Sequence, residues 1–146
     1  MFSRRSFALG IVVALATLPG CTKKTDGLRC ARCGMRVTEG SSFKVEGTVE
    51  GGQARIYDSP LCAFNAKVDP KAKEKVLSLR FQDFYERKVY DGAELRFVGG
   101  SDVKGPMGPD LIPVLPAMEA KFTKDHGKRG VFSYAEITQA VLNDLE

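Results

Sequence analysis

Residues 43–49, FKVEGTV, alternate apolar and polar side chains, and after the turn signal EGG a second such run, QARIYDS, covers 53–59. Alternation with period two is the signature of strands buried on one face, so the pair predicts a β-hairpin with a Gly-containing turn. Asp58, Ser59 and Pro60 then offer an N-cap and a first-turn proline for a short helix through LCAFNAK, stopped near Asp69-Pro70. The chain is thereby committed early to a β-β-α unit.

Farther on, KVLSLRFQDFY (75–85) and AELRFVGG (93–100) predict two more strands, with YDG turning near them. The segment GPMGPDLIP (105–113) is rich enough in Gly and Pro to be expected irregular, and PAMEAKFTKDHG (116–127) reads as a helix closed by Gly127. A second β-β-α unit is thus expected. GVFS predicts a short strand, and Ser133 with Glu136 has the spacing of a capping box for a last helix from Tyr134. Strands and helices in separate runs imply an α+β fold, two ββα units in a single small domain.

The N-terminus addresses the location. Two arginines in SRRSFAL precede an uncharged apolar run from Phe7 to Leu18, about half the length that spans a bilayer, which reads as a secretion signal. It ends in LPGC, Leu18 to Cys21, resembling a lipobox in which Cys21 becomes a lipid anchor; the arginine pair resembles a twin-arginine export signal. The expected organisation is a signal over 1–20, a lipidated tether over 21–29 and one domain over 30–146. Removing Arg4 and Arg5 from 22 basic residues leaves 20 against 18 acidic, about +2. Such a balance lacks the basic footprint of a nucleic-acid binder. The 117 residues from Cys30 onward suffice for one compact module.

With Cys21 lipidated, the thiols Cys30, Cys33 and Cys62 remain, an odd number that cannot be fully paired within an exported domain. Cys62, among Leu61, Ala63 and Phe64, reads as packing material. Cys30 and Cys33 stand in CARCGM (30–35), at the junction of tether and fold, where packing is harder to arrange. A thioredoxin-like site needs this spacing at a helix N-terminus, and GMRVTEGS is a poor helix. A structural zinc site lacks a second C-x-x-C, although Cys62 and His126, the one histidine, would complete a set. A plain disulfide is the third reading. Soft-metal capture is the fourth: thiolate and thioether suit Cu(I), and Cys33 with Met35 can face one ion. Met107 in GPMGP would supply a third sulfur, whereas Met118, beside Ala117 and Ala120, reads as core.

CARCGM, GSDVKGPMGPDLIP (100–113) and, more weakly, KDHGKRGVFSYAEIT (124–138) together resemble the NosL family of copper-binding lipoproteins that accompany assembly of nitrous oxide reductase. The resemblance implies that Cys33 and Met35 bind Cu(I), with Met107 a candidate third ligand, and that Cys30 matches the family's leading cysteine. Family members often carry histidine where Pro109 stands, which leaves His126 as the sole imidazole. The implied fold is related to part of the organomercurial lyases, and the implied partners are apo nitrous oxide reductase and its ABC-type membrane complex. The implied activity is metal delivery from a lipid-anchored, periplasm-facing position. Thr22, in place of an aspartate after Cys21, favours the outer membrane. A rival from another class is an enzyme cleaving carbon–mercury bonds with Cys30, Cys33 or Cys62 and Asp58.

Overall fold

The computed structural model describes residues 27–145; the signal segment, Cys21 and most of the tether lie outside the described residues. Strand β1 (Val45–Val49) and strand β2 (Ala54–Tyr57) form the expected hairpin, in register from Val45 opposite Tyr57 to Thr48 opposite Ala54. The alternation has its expected result: Val45 and Val49 are buried. Helix α1 (Pro60–Val68) follows, with Ser59 as N-cap accepting the Cys62 N–H at 3.2 Å and Pro60 in the first turn.

Strand β3 (Val76–Gln82) pairs with β1 on the side away from β2, and the short strand β4 (Val89–Asp91) pairs with β3. Next comes β5 (Arg96–Gly105), β6 (Gly108–Val114), helix α2 (Glu119–His126) entered through a 3-10 turn at Pro116–Met118, β7 (Gly130–Ser133) and helix α3 (Gln139–Leu145). The sheets have strand orders β2-β1-β3-β4 and β6-β5-β7. The same arrangement therefore occurs twice: a hairpin, a helix, and a third strand returning beside the first, which becomes central. The fold is α+β.

Helix α1 supplies the centre of the main core. Phe64 stacks on Phe81 of β3 at 5.2 Å and meets Phe97 of β5 edge-on at 4.9 Å, so one side chain joins both sheets. Burying such a ring contributes about 2–3 kcal/mol. Strand β5 is covered on both faces, Phe97 by the α1 layer and Val98 by the cluster around Phe122 of α2.

Four expectations are corrected. GPMGPDLIP is regular: Pro106 and Met107 turn the β5–β6 hairpin, Gly105 lying opposite Gly108. The prolines fit because β6 is an edge strand, whose outer N–H groups need no ladder partner. Consequently the second ββα unit is β5-β6-α2, and the 75–85 strand belongs to the first sheet. Finally, Glu136 does accept from the N–H and hydroxyl of Ser133, both at 2.7 Å, but closes only a turn. The last helix starts at Gln139, with the Thr138 carbonyl accepting from Leu142 N–H. Met118 is half-buried in the 3-10 turn rather than in the core.

Candidate metal centre

CARCGM forms the tip of a tight antiparallel loop. Arg29 bridges Arg36, the Cys30 N–H donates to the Met35 carbonyl at 2.8 Å, and the Gly34 N–H donates to the Cys30 carbonyl at 2.9 Å. Gly34 has φ 75°, a left-handed conformation that glycine adopts without steric cost. The Ala31 N–H donates to the Ile56 carbonyl at 2.8 Å and docks the loop on β2. Docking turns Cys30 inward, to 3% exposure, and leaves Cys33 at the surface. Cys30 is thus part of the core, contrary to the expectation drawn from its place beside the tether.

The Cys30 sulfur faces the start of α1. There the sulfurs of Cys30, Cys33 and Cys62 and a carboxylate oxygen of Asp58 all lie within 4.8 Å of one another. All three cysteines are free. Asp58 is 3% exposed, and neither of its oxygens has a hydrogen-bond partner among the described residues. A buried carboxylate left this way is costly unless a cation or donor meets it. The thiols are unequal. Cys62 donates to Cys30, and this, with backbone N–H groups of Cys33, Asp58 and Arg32 and against the effect of burial, holds the Cys30 thiol down to about 6. The same bond to Cys30, then burial and the nearby Asp58 carboxylate, pushes the Cys62 thiol up. Burial is the main cause that raises Cys33. The bond between them thus favours the charge on Cys30 and the proton on Cys62.

The β5–β6 turn closes the other side. Asp110, buried on β6, accepts the backbone N–H groups of Leu61 and Leu111 through Oδ1, each at 2.8 Å, and so fastens the hairpin to the first turn of α1. Met107 is thereby held, 59% exposed, at a cavity of about 380 Å³ that Cys33, Cys62, Asn65 and Pro109 also line. Of the sequence-nominated sulfur donors, the structure brings Cys33 and Met107 to one cavity. Met35 is 44% exposed and does not line it. His126 is elsewhere: its Nδ1 lies 2.9 Å from Asp102 Oδ1 and its ring rests on Phe122, so the zinc set with imidazole is not assembled.

Cys62 and Asp58, which the sequence reading grouped with Cys30 and Cys33 only in its rival readings, stand beside them here. Packing was the favoured reading for Cys62, and it is indeed buried in the core, but its sulfur also belongs to the cluster. A usable signal existed: an aspartate immediately before a helix cap, with a cysteine on the first turn, aims both groups at whatever docks there.

Chains of known kind resemble this one. A solved structure, that of the copper chaperone NosL from Shewanella denitrificans, superimposes with a TM-score of 0.68 over 77% of this chain and 90% of that one, at 23% identity. At that identity the likeness speaks for the fold. No curated protein matches significantly. The model of the NosL family matches residues 22–142, most of the sequence, and the chain belongs to the NosL family.

Proposed function

We propose that the protein is a Cu(I) metallochaperone that collects copper on the periplasmic side and hands it on for the copper centres of nitrous oxide reductase. The observation that carries this reading is Met107 held at the cavity where Cys33 and Cys62 present their sulfurs. Soft donors of this kind suit Cu(I), which tolerates low coordination numbers. Cys33 is the anchoring ligand and Met107 the second; Met35, two residues along and exposed, is a third that swings in from the loop. Transfer proceeds by ligand exchange: a partner's donors enter at the open side before Cys33 lets go. No catalysis is required, and an organomercurial substrate offered to the protein is expected to stay intact.

In this reading the protein is held on a membrane through a lipid on Cys21, with the outer membrane favoured and the twin-arginine route the carrier; the LPGC and SRRSFAL stretches support it. The partners are apo nitrous oxide reductase and its ABC-type assembly complex. Restriction to a surface raises the effective concentration at which such partners meet. Anaerobic titration of the reduced protein with Cu(I) against a chromophoric chelator tests the central claim. One equivalent is expected, abolished by Cys33→Ser and weakened by Met107→Leu or Met35→Leu. Wild type losing to the chelator, with all variants alike, would reject it.

A further inference from the structure

We infer that the outer face of the CARCGM loop, centred on Arg29 and Arg36, is a docking surface for an anionic phospholipid membrane. The inference rests on the lipid anchor at Cys21 proposed above, because that anchor is what holds this face within reach of headgroups.

The near-neutral balance of the chain after its signal conceals a lopsided distribution. Residues 22–37 hold five basic side chains, Lys23, Lys24, Arg29, Arg32 and Arg36, against Asp26 alone, a balance of +4, while residues 38–146 hold 15 basic against 17 acidic, a balance of −2. The whole positive excess therefore lies between the anchor and the end of the loop. Basic clusters of this size beside a membrane attachment are drawn to anionic lipid.

Within the loop two of these charges are set side by side. Arg29 and Arg36 are bridge partners, directly opposite each other on antiparallel segments. Side chains alternate faces along such segments, so with Cys30 and Val37 buried, the two arginines lie on the outer side, and both are exposed. Like charges directly opposite repel, and an anion between them relieves the cost. Neither has a carboxylate within ion-pairing distance among the described residues, whereas Arg32 is met by Asp69 at 3.4 Å. Paired guanidinium groups suit phosphate oxygens, which accept their forked N–H donors. Leu28 and Met35, the residue before each arginine, are exposed and supply the apolar contact that binding at a lipid interface adds to charge.

The covalent chain keeps this surface near its partner. Gly27 stands six residues after Cys21, so even a fully extended tether spans at most about 20 Å. Attraction to a charged bilayer fades within a Debye length, about 8 Å at physiological salt, and a short tether brings the arginines inside that range repeatedly. An acidic protein would match the charge, but the chain itself holds only the membrane beside the loop.

The test is hydrogen–deuterium exchange on the lipidated chain in nanodiscs, after its intact mass has shown acyl groups on Cys21. With phosphatidylglycerol and phosphatidylethanolamine in the nanodisc, the amides of 28–36 are expected to exchange at least about threefold more slowly than with phosphatidylcholine. The difference should vanish at 1 M salt, where the Debye length is about 3 Å. Arg29→Gln and Arg36→Gln are each expected to weaken docking about fivefold, the effect of one basic residue at an anionic surface. Arg29→Lys, which keeps the charge, should retain it, and Lys121→Gln on α2 should change nothing. Equal exchange in the two nanodiscs, or protection indifferent to both glutamine variants, overturns the inference and leaves the anchor standing. Added polyglutamate that protects the loop in phosphatidylcholine nanodiscs as strongly as anionic lipid does also overturns it, and assigns the face to an acidic protein. A chain without acyl groups on Cys21 overturns the anchoring reading, and this inference with it.

Discussion

The carboxylate of Asp110 accepts the backbone N–H of Leu61 at 2.8 Å across 49 positions of sequence. The residue three positions after the exposed Met107 therefore fixes the helix that carries Cys62. Burial raises the Asp110 carboxyl to about 6, outweighing the two amide hydrogen bonds and the Ser59 hydroxyl that favour its charge. A folded-state value above the unfolded one means that the native chain binds the extra proton between about pH 4 and 6. The stability it confers is full below about pH 4 and is lost as pH rises through 6. The rise from 3.8 corresponds to about 3 kcal/mol at 1.36 kcal/mol per pH unit. Asp110→Asn, permanently neutral, is expected to match wild type near pH 4 and to gain on it by up to that amount by pH 7, read from thermal midpoints across the range.

Gly105 makes room for that carboxylate. A Cβ at this position would lie 2.2 Å from Asp110 Oδ2 and 2.9 Å from Asp110 Cβ. Gly105→Ala is expected to displace Asp110 and cost about 1–3 kcal/mol by urea denaturation, and to weaken Cu(I) retention because Met107 moves with the turn. Gly108→Ala is the control. Its φ of 113° strains any side chain, yet nothing lies within 4 Å of the new methyl group. Stability should fall there without the pH dependence of Asp110 being altered, whereas in Gly105→Ala that dependence should change.

The unequal thiols predict a second pH profile. With Cys30 held down to about 6 and Cys62 pushed far up, the folded pair keeps one proton through the range in which both unfolded thiols ionise near 9. The unfolded chain thus binds more protons between pH 6 and 9, and fewer above 9. Stability of the reduced, metal-free protein is expected to climb from pH 6 to 9 on this account and to decline beyond. Cys30→Ser should flatten the rise. Thiolate absorbance should show one midpoint near 6 that Cys30→Ser removes, and a single midpoint near 9 in wild type would contradict the assignment.

Core and cavity should separate cleanly under mutation. Phe64→Ala removes the ring shared by both sheets, at an expected cost of about 3–5 kcal/mol in unfolding free energy. Met107→Leu changes an exposed side chain and should alter stability by less than about 0.5 kcal/mol while loosening Cu(I). Equal effects of the two on denaturant midpoints would show that Met107 is a packing residue.

Much of this architecture was legible locally. The alternation at 43–49, the turn glycines and the Ser59-Pro60 helix start are one-dimensional signals, and each produced its element where expected. Gly127, with φ 74°, closes α2 as its sequence position implied. What stayed hidden depended on partners distant in sequence. Pro109 and Pro113 argue against a strand until β6 is known to be an edge. Ser133 and Glu136 satisfy a capping pattern that a turn meets equally well. Cys62 looked like ordinary packing because its apolar neighbours are adjacent in sequence, while Cys30 and the unpartnered Asp58 carboxylate reach it only after β2 has brought the CARCGM loop alongside.

The twice-used arrangement bears on stoichiometry. Both helical segments open on a proline, Pro60 and Pro116. Aligned on that proline, Asp58, Ser59 and Cys62 of the first unit correspond to Val114, Leu115 and Met118 of the second. The helix entrance that presents a carboxylate, a hydroxyl cap and a thiol in one half presents only hydrocarbon and a half-buried thioether in the other. Among the described residues, the cluster of thiols and carboxylate gathers at the helix entrance of the first unit. On the function proposed above, a second ion held by the chain is therefore not expected at the place in the second unit that mirrors the cysteine cluster of the first.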